Sequence, residues 1–183
     1  MIVKRYIDLK NTEIELVGQI PADWSAIKVR FICDITTGDK DTINRIDNGK
    51  YPFYVRSPIV ERIDTYSFDG EGVLMAGDGV GAGRVFHYAT GKFDYHQRVY
   101  NLHNFRKVIG RYFFYFMQEN FYKEIERSNA KSTVDSIRLN MIKAFVVTFP
   151  VSLNEQKEIV DYLDRRTADI DGLLADLARQ AEI

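Results

Sequence analysis

The sequence predicts a mixed α+β fold: a β-rich body with one aromatic-faced helix, followed by a long C-terminal helix suited to coiled-coil contacts. Three observations predict it. Short apolar runs broken by turn residues fill residues 27–102. Apolar side chains then recur at three and four residues across 105–129. Beyond Pro150 an aliphatic stripe continues almost to the last residue. With 183 residues, 45% hydrophobic and 28% charged, the chain can bury a real core, which excludes disordered and low-complexity classes.

The opening 24 residues are polar and end in Gly18-Gln19-Ile20-Pro21-Ala22-Asp23-Trp24. This punctuation predicts an extended arm anchored by Ile20 and Trp24. Apolar runs at 29–35, 51–55, 72–75, 84–88 and 98–102 read as strands. Between them, Asn48-Gly49 and Asp69-Gly70 offer the positive φ that tight hairpins need. The period then changes. Val108, Tyr112, Phe116 and Asn120, with Ile109, Phe113, Met117, Phe121 and Ile125 beside them, mark a helix with an aromatic buried side. A polar loop at 128–133 ends it, a short helical or mixed piece occupies 135–142, and residues 144–149 form a strand that Pro150 stops.

Ser152-Leu153-Asn154-Glu155 has capping-box spacing, in which the Ser oxygen and the Glu carboxylate each satisfy an orphan N–H. Beyond it, Ile159, Leu163, Ile170, Leu173 and Leu177 form a candidate subunit-interface stripe, widened by Val160, Thr167, Leu174 and Ala181. At 1.5 Å per residue the segment is a rod of roughly 45 Å, longer than a small domain needs to cover its own core. Part of the stripe is expected to meet another helix; the alternative is an amphipathic helix folded back on the sheet. Residues 1–150 and 151–183 are thus two functional parts.

Twenty-five basic against 26 acidic side chains give a net charge of −1, which by sum argues against a nucleic-acid partner. The distribution is uneven. Residues 71–149 hold 11 Lys/Arg and 7 Asp/Glu, whereas 150–183 hold 4 and 8. The basic middle and acidic tail suggest separate tasks. The single cysteine, Cys33, excludes a disulfide framework and reads as a small buried hydrophobe. No apolar run approaches the ~20 residues of a membrane span. The N-terminal residues lack the apolar core of a signal peptide, so a cytoplasmic location is expected.

No active site is legible. The glycine-rich Gly77-Asp78-Gly79-Val80-Gly81-Ala82-Gly83 invites a phosphate-cradle reading, but a dinucleotide loop opens a helix, and here the following residues alternate like a strand. His87, His96 and His103 lack ligand-like spacing, so no metal site is expected. Glu155-Gln156-Lys157 has the Glu-x-Lys spacing of some nuclease centres, but it sits in a first helical turn, where a carboxylate serves the helix N-terminus.

Binding residues are easier to nominate. In Gln97-Arg98-Val99-Tyr100, Gln suits adenine and Arg suits guanine in the major groove. Arg127-Ser128-Asn129-Ala130-Lys131-Ser132-Thr133 is a polar loop of small residues suited to phosphate oxygens and base edges. Arg56, Arg84 and Lys92 add charge near the turns, and Gly79 lets backbone come close to a partner. Each alone also reads as a surface residue; their shared place in the basic middle groups them.

Together these features carry a resemblance. They are Gly18-x-Ile20-Pro21-x-x-Trp24, Gly49-x-Tyr51-Pro52-Phe53-Tyr54, the glycine loop before a strand, and His96-Gln97-Arg98. The aromatic helix follows, then the Ser/Thr loop with Ile137-Arg138-Leu139. Phe149-Pro150 then leads into Glu155-Gln156-Lys157-Glu158-Ile159-Val160-x-x-Leu163-Asp164. The whole resembles one half of the specificity subunit of a type I restriction–modification system.

The resemblance implies a target recognition domain at 1–150 and a conserved-region helix of the family at 151–183. It implies a non-catalytic subunit that binds double-stranded DNA and brings methyltransferase subunits, and through the complex the restriction/translocase subunits, to a bipartite site. No cofactor is expected on this chain; S-adenosylmethionine belongs to the methyltransferase partners. A full subunit carries two recognition domains and long paired helices. This sequence has one of each, which leaves open a half-length subunit that forms a homodimer, a segment of a longer chain, or a truncated product. A twofold pair would set two readers about one DNA turn, roughly 34 Å, apart. Two other functions remain open: a non-catalytic decoy of a restriction system, and a nucleotide-binding transferase using Gly77 to Gly83.

Overall fold

The computed structural model describes residues 6, 8–12, 14, 17–128 and 136–181. Strands β1 (Leu9–Asn11) and β2 (Gln19–Pro21) pair antiparallel and bury Ile20, so the arm is a small hairpin. β3 (Trp24–Lys28) follows. The apolar run at 29–35 is then not one strand: Val29–Phe31 is a 3₁₀ turn, and β4 (Asp34–Thr37) starts only afterwards. Val29, Ile32 and Cys33 share the buried side while Arg30 and Phe31 face out, a spacing of three and four that a helical turn satisfies and a strand does not. Burial pushes the Cys33 thiol up to about 12, which leaves it inert.

With β4, strands β5 (Tyr51–Tyr54), β6 (Glu61–Ile63), β7 (Phe68–Asp69), β8 (Gly72–Ala76), β9 (Phe86–Ala89), β10 (Lys92–Tyr95) and β11 (Val99–His103) make two four-stranded sheets. One has the order β6-β5-β10-β7, with β5 and β10 parallel; the other has the order β4-β11-β8-β9 and is antiparallel. Neither proposed glycine turn closes a hairpin, although Gly70 does take the expected positive φ, +155°. Gly49 has an ordinary φ and is needed for space, because a Cβ there would lie 2.4 Å from the Ile63 nitrogen. Asp69-Gly70 carries the chain from one sheet to the other rather than closing a hairpin, since β7 pairs with β10 and β8 pairs with β9 and β11.

All five residues of β8 are buried. Val73 and Met75 join the main core, and Leu74 joins a second core with Tyr54, Phe93, Tyr95 and Val99. A strand covered on both faces reads as a continuous apolar run, which is how Gly-Val-Leu-Met-Ala reads. Helix α1 (Gly110–Ser128) supplies Phe113, Met117, Phe121 and Ile125 to the main core. Helix α2 (Leu139–Ala144) leads to β12 (Val146–Pro150), which pairs antiparallel with β3 along its whole length. Pro150 is the last residue of that strand, pairing with Trp24.

Helix α3 (Leu153–Ala181) is 29 residues, about 44 Å long. Its base is fixed by one side chain. Gln156 is fully buried; its Nε2 donates to the Lys107 carbonyl at 2.9 Å and the Pro150 carbonyl at 2.8 Å, while its Oε1 accepts from the Ile109 N–H at 2.8 Å. About two turns further along the helix, Asp164 accepts from Arg111 at 2.9 Å and from the Tyr115 hydroxyl at 2.5 Å. Ser152 Oγ accepts from the Glu155 N–H at 3.4 Å, one half of the capping box. The Glu155 carboxylate reaches back to the arm, accepting from Trp24 Nε1 at 3.2 Å and from the Tyr6 hydroxyl at 2.5 Å.

The interface stripe divides. Ile159 packs on the main core, and Leu163, half-buried, lines an open groove against α1 with Tyr112 and Phe116. Ile170, Leu173 and Leu177, with Leu174, are exposed, as is every residue from 165 to 181. That half of the helix does not fold back on the sheet.

Replacing Gln156 with Ala strands the buried Pro150 carbonyl and the part-buried Lys107 carbonyl and Ile109 N–H. The expected loss is about 2–4 kcal/mol of stability, checked by urea unfolding against the parent chain.

Candidate nucleic-acid interface

The loop between β8 and β9 shows what its glycines are for. A Cβ on Gly77 would lie 2.8 Å from the Arg98 carbonyl, and one on Gly81 would lie 2.6 Å from the Arg56 carbonyl. Gly83, at φ +65°, sits against the Phe121 ring. The close approach is to other parts of the same fold, and the loop leads into a strand, so it lacks the helix N-terminus of a phosphate cradle. Gly79, at φ +71°, is the loop's turn residue and has Arg56 Nη1 4.0 Å from where its Cβ would be.

This packing draws loops from separate elements together. The residue after β5 is Val55, then Arg56, whose Nη1 donates to Asp78 Oδ1 at 3.0 Å. Arg98, in the turn between β10 and β11, places Nε 3.6 Å from Asp78 Oδ2. Its neighbour Gln97 donates from Nε2 to Asp41 Oδ2 at 2.9 Å. Arg84 lies over the Tyr122 ring at 3.8 Å and reaches Glu126 at 3.5 Å. A groove of about 750 Å³ lined by Arg56, Pro58, Asp78, Gly79, Val80 and Arg84 runs through this face.

Arg56, Gly79, Arg84, Gln97 and Arg98 are therefore brought together. Lys92 is not. It begins β10, over the Tyr66 ring at 4.6 Å, whereas Gln97 and Arg98 follow the other end of that strand. Arg127 and Ser128 belong to the last turn of α1 by their backbone. Asn129, Lys131, Ser132 and Thr133 lie outside the described residues. The described residues on either side flank the same face, Glu126 through Arg84 and Ser136 through its bridge to Asp78. Ile137 N–H also donates to the Gly77 carbonyl at 2.7 Å, and the Tyr100 hydroxyl donates to the Ile137 carbonyl at 2.9 Å.

Sequence reasoning missed the acidic partners Asp41 and Asp78, and the exposed apolar tips Ile43, Ile59 and Val80, the last 98% exposed. Val80 sits between two glycines, a spacing that already marks a loop crest.

The three histidines have separate surroundings. His87 Nε2 meets the Ser57 carbonyl at 3.0 Å, and His103 lies edge-on to Phe68 at 4.9 Å. His96 Nδ1 accepts the Arg98 N–H at 2.9 Å, which puts the neutral ring's proton on Nε2, 3.8 Å from Asp41 Oδ2. Among the described residues no three His, Cys, Asp or Glu groups are gathered as a metal site.

Burial holds His87 below its ordinary value, and burial followed by the Arg56 charge does the same for His96, against the opposing pull of Asp41 and Asp78. The unfolded chain then binds more protons than the folded one below the ordinary His range near 6.5. Their contribution is present above that range and is lost as pH falls through the lowered folded values. The melting temperature is expected to drop between pH 7 and pH 5, before carboxylates titrate, and His87→Gln is expected to flatten part of that slope in thermal unfolding series.

Against known proteins, residues 21–179 match the type I restriction modification DNA specificity domain. The chain belongs to that family. It is 30% identical over 166 residues to the type I restriction enzyme EcoDI specificity subunit of Escherichia coli, covering 91% of this chain and 36% of that protein. The fold is shared with the S subunit of a type I system from M. genitalium at a TM-score of 0.69 and 15% identity, covering 86% of this chain and 43% of that one. It is likewise shared with the HsdS subunit of Thermoanaerobacter tengcongensis at a TM-score of 0.61 and 15% identity, covering 90% and 41%. The chain spans less than half the length of each of these relatives. Among the described residues, no helix is long and apolar enough to cross a membrane.

Proposed function

We propose that this chain reads a sequence on double-stranded DNA and performs no chemistry itself. The observation that carries this reading is that Arg56 and Arg84, from separate elements, line one solvent-facing groove while the turn of Gln97 and Arg98 stands beside it, Arg98 reaching the groove's Asp78, in a member of a DNA specificity family. Guanidinium and amide side chains on loops buttressed by glycine packing are suited to base edges, while Arg84 at the groove's flank is suited to phosphate. The methyltransferase subunits of such a complex would hold S-adenosylmethionine, and the restriction subunits would join through the complex.

Helix α3 serves the second half of the task. Its exposed Ile170, Leu173, Leu174 and Leu177 suit an antiparallel helix partner, either from a second copy of this chain or from the other half of a longer subunit. A homodimer would make the DNA site palindromic and split. With the modest positive excess of its middle region, the chain alone binds DNA weakly and with strong salt dependence; tight binding comes when partner subunits close around the duplex.

Two experiments test this. In the complex assembled with methyltransferase subunits, Arg98→Ala should cost about 1–3 kcal/mol of discrimination between cognate and altered sites. Arg84→Ala should instead weaken all sequences alike and reduce the slope of log affinity against log salt by about 0.9. Sequence-independent binding by the parent complex would refute the reading. Separately, Leu173→Glu with Leu177→Glu should abolish helix-mediated association in analytical ultracentrifugation while leaving the melting temperature of the body within about 2 °C, since surface substitutions cost little.

A further inference from the structure

We infer that Asp78 is itself a reading residue: with Arg98 it forms an acceptor–donor pair matched to the major-groove edge of one G·C base pair. The inference rests on the DNA-reading assignment above and deepens it.

Asp78 is rigidly placed. Gly77 N–H donates to the Arg98 carbonyl at 2.8 Å, the Gly77 carbonyl accepts from Ile137 at 2.7 Å, and Asp78 bridges to Ser136. Its carboxylate faces the groove at 25% side-chain exposure, between Arg56 and Arg98 from two other loops. Arg56, the closer partner at 3.0 Å, aims it. Arg98 is 66% exposed and only 3.6 Å away through Nε, a loose surface contact that keeps the two groups side by side.

A carboxylate facing phosphates would oppose binding. In the groove it accepts only from an exocyclic amine, cytosine N4 or adenine N6, and rejects acceptors. Arg98 supplies the complementary choice, since a guanidinium fork is satisfied by the O6 and N7 of guanine together. In a G·C pair, guanine O6 and cytosine N4 are joined by one hydrogen bond of about 2.9 Å. The separation of Arg98 Nε and Asp78 Oδ2, 3.6 Å, is of that order. Adenine in guanine's place offers the fork N7 alone and turns thymine O4, an acceptor, toward Asp78, while thymine in guanine's place offers O4 alone, so either A·T orientation loses a contact.

The test is methylation mapping in cells expressing the assembled complex with the parent chain, with Asp78→Ala and with Arg98→Ala. The parent motif should contain a G·C position that both variants relax, and the same one. Methylation of sites altered there should rise about tenfold or more, within the range of a single base contact, with every other position kept. Relaxation at different positions, an unchanged motif, or uniform loss of methylation by a folded Asp78→Ala chain would each overturn the inference. If Asp78→Ala fails to fold, Arg98→Ala still decides, because a motif it leaves unrelaxed at every G·C position excludes the pair. A parent complex whose methylation is independent of this chain would instead remove the DNA-reading assignment itself.

Discussion

A single buried amide ties the base of the long helix to the segment entering α1, 47 and 49 residues earlier in the chain, and to the end of β12. Gln156 uses both hydrogens and its oxygen on the approach to α1, the start of α1 and the end of β12, and it does so in the first turn of α3. A buried amide this fully satisfied cannot be shifted without exposing unpaired polar groups to a dry interior. The seat of the long helix is therefore set by the same contact that sets where α1 begins. Because α1 packs through Phe121 against Gly83, the position of the glycine loop follows from it.

The body is organised around β8, whose two faces serve two cores. The segment leaving that strand has to pass between α1, the β10–β11 turn and the segment after β5, and only residues without a side chain fit at Gly77 and Gly81. This is a packing requirement, yet its result is functional. It carries three loops to one place and leaves their charged ends outward.

Much of this was legible in the residues. The strand and helix succession followed from periodicity, since a core imposes period two on a covered sheet and three to four on a covered helix. The run at 29–35 was misread because continuous apolar residues look alike in a strand and in a buried turn; the exposure of Arg30 and Phe31 between Val29 and Ile32 decides it. The stripe on α3 keeps one spacing throughout but meets two kinds of surroundings. Ile159 and Leu163 have the same spacing as Leu173 and Leu177, and only the seat fixed by Gln156 determines where packing stops and exposure begins. Gln156 looked like part of a capping segment because its partners lie 47 and 49 residues away and are main-chain groups with no sequence signature. Arg56, Arg84, Gln97 and Arg98 could be named one by one, but their grouping around Asp78 depends on loop crossings that no local pattern encodes.

The arm's anchor has an optical consequence. Trp24 is the chain's single tryptophan, half-buried, edge-on to Tyr6 with ring centroids 5.8 Å apart, and bonded through its indole nitrogen to Glu155 on the first turn of α3. All indole emission from this polypeptide thus arises at the joint between body and rod. Light absorbed there reports directly on how the rod is seated.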